Sequence, residues 1–226
     1  VLGLTIDYGP FGFVEDYDPA FTPNTTDANG RRYAYGRQPT IAHWNLSRFA
    51  TALLPVIDER SLQDGLDAYA RNYQATVRAM TAAKFGFSEL REDDLAQVAQ
   101  AYELLAASSI DYTLFFRTLA VAENAESFAA HSYDAERFSG TLPALRDWLQ
   151  RHAVRSTQDD ISAALRAARM HSANPLYLPR NWLLQEAIEA AQRDDLQPLN
   201  KLLAAVAEPY LERAGFEHQA GKHPEW

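Results

Sequence analysis

Residues 1–13 read VLGLTIDYGPFGF. Val1 to Ile6 has the β-branched and apolar content of a buried strand, and Asp7 ends it ahead of the breakers Gly9, Pro10 and Gly12. A carboxylate at a strand end, backed by a glycine, can present hard oxygen ligands to Mg²⁺ or Mn²⁺ without moving the core. Asp7-Tyr8-Gly9 is equally ordinary turn chemistry, and three residues alone do not separate the two.

Outward from this strand, Phe11 to Gln38 is rich in Pro, Gly, Asn, Asp and Tyr. Asp18-Pro19, Thr22-Pro23-Asn24 and Asn29-Gly30 act as turn signals, with a short hairpin expected about Asn29-Gly30. Loops of this length usually carry function. After Pro39 apolar residues recur at helical spacing: Ile41, Trp44, Phe49, Leu53 and Leu54, then Leu62, Leu66, Tyr69, Tyr73, Val77 and Met80. Ser61 with Asp64 is expected to open the second helix and Gly86 to close it. Further helices are expected over 93–107, 111–122, 142–152, 157–170, 180–193 and 196–207. Ile161, Leu165 and Ala168, and likewise Leu184, Ile188 and Ala191, are expected to be packing faces. The fold class is therefore mainly α with a short β element at the N-terminus, in one unit: strand, turn and loop over 1–38, helices over 39–226.

Composition narrows the function. The chain has 226 residues, 47% of them apolar, with a net charge of −9, which supports a folded core and argues against a surface built to neutralise nucleic acid. No cysteine is present, so disulfides, thiol catalysis and Cys-ligated zinc are excluded. No apolar run of about 18 residues or signal peptide is seen, so no membrane partner is expected and a cytoplasmic location is. The chain opens on the strand rather than on Met, which reads as a start inside a domain.

Other candidates are weaker. Glu15, Asp16 and Asp18 are acidic but lack the calcium-loop pattern, and are expected to be solvated loop charges. His43, His131, His152, His171, His218 and His223 form no helical metal pair and are expected at the surface or as caps. Arg31, Arg32, Arg37 and Arg48, with Tyr33 and Tyr35, make either a basic aromatic patch or a snorkelling cover for the loop. Arg180-Asn181 after Pro179 is expected to open a helix.

The order strand, Asp-aromatic-Gly, long loop and helical remainder resembles the C-terminal lobe of the protein-kinase fold. There the Asp of Asp-Phe-Gly holds the Mg²⁺ on the nucleotide phosphates and the following loop is the activation segment. The longer strings LGLTIDYGPFGFVEDYDP, RRYAYGRQPTIAHWNLSRFATALLP and NPLYLPRNWLLQEAIEAA resemble the selenoprotein O family (SelO, called YdiU in bacteria), from Leu2 to Trp226.

That resemblance implies a pseudokinase-like fold that binds ATP in an inverted orientation. It also implies transfer of AMP to Ser, Thr or Tyr hydroxyls of protein substrates, with Mg²⁺ or Mn²⁺ required. Asp7 matches the family's metal-binding, nucleotide-proximal Asp. The family's glycine-rich loop, lysine with its acidic partner, phosphate-binding arginines and Asp-Asn pair lie upstream of this block. The catalytic base and the nucleotide lobe are thus expected outside the chain, and the chain alone is expected to be inactive. The family's Cys or selenocysteine tail follows a Pro-x-Trp stretch; here Pro224-Glu225-Trp226 ends the sequence, which is expected to be trimmed at both ends. Two alternatives stay open: a non-catalytic helical module that recognises a protein partner, and a kinase-like phosphotransferase.

Overall fold

The computed structural model describes residues 12–22 and 29–224. The expected strand Val1–Ile6 and Asp7 lie outside the described residues. The chain divides into two compact units, one of Val1–Gly12 with Asp18–Ala79 and one of Phe13–Tyr17 with Met80–Trp226. The architecture is mainly helical: α1 Gln38–Leu53, α2 Glu59–Phe85, α3 Asp94–Ser108, α4 Tyr112–Leu119, α5 Ala135–Ser156, α6 Ala163–Ala173, α7 Asn181–Ala191, α8 Gln197–Ala207 and α9 Glu217–Ala220. Extended pairing among the described residues is confined to two isolated antiparallel bridges, Asp16 with Asp111 and Ile110 with Ser132.

Capping chemistry explains several helix ends. Asp58, not Ser61, opens α2: its carboxylate accepts from the Ser61 amide at 2.9 Å and hydroxyl at 2.7 Å, which moves the start three residues earlier than the Ser61-Asp64 spacing predicts. Gly86 ends α2 as expected, at φ +76°, and a Cβ there would meet the Met170 sulfur at 2.6 Å. Both backbone and space therefore demand glycine. Helix α5 runs longer than expected and carries Pro143 inside it. Its true start is the Asp134 cap, whose carboxylate accepts from the Glu136 and Arg137 amides, both at 3.0 Å.

The first unit packs thinly. Among its described residues only Ala34 is buried, and neither α1 nor the part of α2 up to Ala79 contains a buried residue. Its loop is held by backbone bonds from Tyr35 to Phe21 at 2.9 Å and from Gly36 to Pro19 at 2.8 Å. A Cβ on Gly36 would come within 3.0 Å of the Pro19 carbonyl oxygen, so glycine permits the approach. The Asn29-Gly30 turn forms, but a second turn and the tight turn Tyr35–Arg37 follow it in place of a hairpin strand.

The second unit has a continuous aromatic core. Phe85, Phe115, Phe116, Phe128 and Trp148 are fully buried. Phe116 meets both Phe85 and Phe115 edge-to-face, with ring centres 5.1 Å apart in each pair. Such pairs contribute about 0.5–1.5 kcal/mol beyond the area they bury. His152 corrects the surface expectation: it is buried, stacks on Trp148 at 5.2 Å and contacts the Phe85 carbonyl at 2.8 Å through Nε2. Burial pushes its pKa down, so the ring is held neutral. Two helix faces also differ from expectation. Helix α7 buries Trp182, Leu183, Ala187 and Ala190 while Ile188 is exposed, and α6 buries Met170 while Leu165 is exposed. Apolar periodicity found the helices but, where both sides carry apolar residues, did not choose the buried face.

Candidate functional site

Phe13–Tyr17, which begins six residues after Asp7, belongs to the second unit. The turn Ser109-Ile110-Asp111 between α3 and α4 receives it. Ser109 takes the left-handed conformation at φ 54°, uncommon outside glycine, and its hydroxyl donates to Asp16 at 2.6 Å. The Tyr112 amide donates to the Glu15 carbonyl at 2.7 Å, the Asp111 amide to His131 at 2.9 Å, and the Tyr133 amide to Ser109 at 2.9 Å. Val14 is buried beside this pairing in sequence, and the Tyr17 ring stacks on Tyr112 at 5.5 Å.

A buried charge cluster locks the junction. Asp111 caps α4 by accepting from the Leu114 amide at 2.9 Å. The Arg180 guanidinium forks onto the same carboxylate at 2.6 and 3.0 Å, and the Tyr133 hydroxyl donates to it at 2.7 Å. Both ionic side chains are 0% exposed. With four donors the Asp111 carboxylate is fully satisfied, which is the condition for a buried ion pair to persist. Glu15 joins from the incoming segment, 3.6 Å from Arg180 and 3.4 Å from the Tyr133 oxygen.

The titration directions follow from this geometry. Burial raises the Glu15 carboxyl, and the nearby Arg180 only partly offsets it. Burial together with Asp111 pushes the Tyr133 phenol up, so it stays a donor. Burial opposes the charge on Arg180, but the bonds to Asp111 outweigh it and its pKa rises. From the C-terminal side, the His223 ring stacks on Tyr133 at 4.3 Å and Lys222 donates to the Ser132 carbonyl.

Next to the first turn of α4 the second unit contains a cleft of about 790 Å³, whose lining includes Leu114, His131, Leu176, Tyr177, Arg213 and Lys222. Burial lowers the His131 pKa, so the cleft presents a neutral imidazole beside two cations. The first unit holds a separate aromatic pocket of about 460 Å³, lined in part by Tyr35, Pro39, Tyr69 and Tyr73.

The candidates fall out as follows. Asp7 lies outside the described residues. Glu15 and Asp16 are not free loop charges, since the first enters the Arg180 cluster and the second binds Ser109; Asp18 accepts from the Ala20 amide at 2.8 Å. Arg32 and Arg48 lie over Trp44 at 4.0 and 5.5 Å, and Arg37 donates to the Gly30 carbonyl at 2.8 Å. Arg180 does open α7, but the sequence reading missed its buried partner. The signal was present: Asp111 is the one acidic residue in the otherwise uncharged run from 104 to 116. Among the described residues no group of three or more His, Asp or Glu is placed to hold a metal ion. The cluster is an anchor for Phe13–Tyr17, and its Asp111 carboxylate is fully engaged by Leu114, Tyr133 and Arg180.

Comparison of the sequence with known proteins settles the family. Residues 1–207 match the family model described as Protein adenylyltransferase SelO. The chain belongs to the SelO family. It is 46% identical over 231 residues to Protein nucleotidyltransferase YdiU of Xanthomonas campestris pv. campestris (strain B100), covering 100% of this chain and 45% of that protein. The same-named protein of Azoarcus sp. (strain BH72) is 43% identical, and that of Aromatoleum aromaticum is 41% identical, with 44% of each covered. The chain therefore spans just under half the length of the curated SelO relatives it matches. No described helix is long and apolar enough to cross a membrane.

Proposed function

We propose that this chain is part of an ATP-dependent protein adenylyltransferase that moves AMP from ATP to Ser, Thr or Tyr hydroxyls of other proteins. The observation that carries the reading is the family match over residues 1–207, which takes in Asp7-Tyr8-Gly9. In this reading the helical part is the C-terminal lobe of a kinase-like fold, and Asp7 is a ligand for Mg²⁺ or Mn²⁺ at the nucleotide phosphates. A divalent ion there supplies positive charge against the phosphates, which this acidic chain does not provide by its net charge. The remaining metal ligands, the base and the phosphate cradle are assigned to the part of the relatives outside the matched region. This chain's described residues contribute the anchor that holds Phe13–Tyr17.

AMP transfer depends on positioning and charge stabilisation at phosphorus, and one carboxylate does not supply either. The 226-residue chain by itself is accordingly expected to transfer nothing. The test uses the full-length protein with ATP labelled at the α or the γ phosphate. Protein labelling from the α position alone is expected, and its loss in Asp7→Ala with the helical fold retained by circular dichroism. Label arriving from the γ position would make the protein a kinase, and activity retained in Asp7→Ala would remove the metal role.

A further inference from the structure

The first unit carries a wide apolar surface that its own described residues cover only in part, as where Tyr69 meets His43 and Pro39. At about 100° per residue, Ile41, Ala42, Leu46, Phe49, Ala50 and Leu53 fall on one half of α1, and not one of them is buried. On α2 the residues Leu62, Leu66, Tyr69, Tyr73 and Val77 form a single stripe at i, i+4, i+7, i+11 and i+15, again with none buried. Phe49, Leu54 and Tyr73 are 40%, 48% and 38% exposed. A helix apolar over half its surface belongs inside a core, because fully burying one such side chain is worth about 1.5–3 kcal/mol. Scattered exposed leucines need no explanation; two helices whose packing faces are both left half-open do.

We propose that this surface is a docking face for the portion of the same polypeptide that the SelO relatives carry outside the matched region. The relatives decide the occupant. Each matches the whole of this chain yet has only 44–45% of its own length covered, so in each of them the segment matching this chain is covalently joined to a longer remainder. A tethered partner acts at an effective concentration in the millimolar range, which outcompetes a second copy at ordinary protein concentration. The inference rests on the length of the relatives and on burial, not on the chemistry of transfer, and it stands or falls independently of the AMP reading.

The test is made on the monomeric full-length protein. A photo-cross-linking p-benzoylphenylalanine introduced at position 49 is expected to link within the same polypeptide, to a peptide outside the residues matching 1–226. Hydroxyl-radical labelling of the unsubstituted protein is expected to mark Phe49 and Tyr73 at least about tenfold more slowly than Tyr210, because a close-packed interface excludes the oxidant. Tyr210 is 48% exposed in the second unit and serves as the internal reference. A cross-link to a second copy, to a foreign protein or into residues 80–226 would overturn the proposal. So would Phe49 and Tyr73 labelling as fast as Tyr210. The labelling arm needs no substitution, so a variant that fails to fold does not leave the question open.

Discussion

The two units solve opposite problems. The second places Phe85, Phe115, Phe116, Phe128 and Trp148 in one core and satisfies a fully buried Arg180–Asp111 pair. The first, of similar helical character, buries only Ala34 among its described residues. Long helices form in both, so the difference lies in burial, which supplies most of a helix's stability in a folded protein. The second unit has its own core. The first presents one half of a core.

Four substitutions would break or sharpen that contrast. The largest effect is expected at the buried ion pair. Arg180→Met leaves the Asp111 carboxylate uncompensated, with the Tyr133 hydroxyl and the Leu114 amide as its only donors, and should cost about 3–5 kcal/mol in urea denaturation. A loss under about 1 kcal/mol would mean the pair behaves as a solvated one and the anchor is not there.

A matched pair comes next. Phe116→Ala in the second unit should cost about 3–5 kcal/mol, whereas Phe49→Ala in the 226-residue chain should cost less than about 1 kcal/mol, in line with a surface side chain. In the full-length protein the Phe49→Ala cost should rise toward the core value. Equal costs at both positions in the shorter chain would erase the distinction between the units.

The smallest effect tests the edge of the cluster. Glu15 has its pKa raised by burial, so the folded state holds that proton more tightly than the unfolded chain. Its contribution is present below the unfolded carboxylate value and is lost as pH rises through the folded one. Glu15→Gln should therefore flatten this part of the stability profile in mildly acid solution and change stability at neutral pH by less than about 1 kcal/mol. A Glu15→Gln cost as large as that of Arg180→Met would place Glu15 at the centre of the network, not at its rim.

Much of the helical layout was legible from residue pattern. Six of the expected ranges each correspond to a helix, and the Gly86 stop and the Arg180 helix start are both present. The errors have particular causes. Ser61-Asp64 resembles a capping box, but Asp58 lies one turn earlier and caps more strongly because it accepts from both amide and hydroxyl of Ser61. The helix expected over 142–152 begins earlier, at Ala135, and carries Pro143 inside it. His152 looked like one more scattered histidine because nothing local marks the 67 residues of separation from Phe85, whose carbonyl it meets.

The family was legible in the string around Asp7, and the match over residues 1–207 bears it out, while Asp7 itself lies outside the described residues. Glu15, Asp111, Tyr133 and Arg180 did not stand out together, although each is an ordinary polar residue at a turn or helix start. Asp111 and Arg180 are 69 residues apart, and no local periodicity links residues at such a distance.

Local chemistry was enough to specify most of the helices and the Gly86 stop, since these depend on side chains within about one helical turn of each other. Which carboxylates are solvated, which histidine is core and which helix faces lack cover are long-range facts. They follow from desolvation and packing between residues distant in sequence, and those energies exist only once the chain has folded.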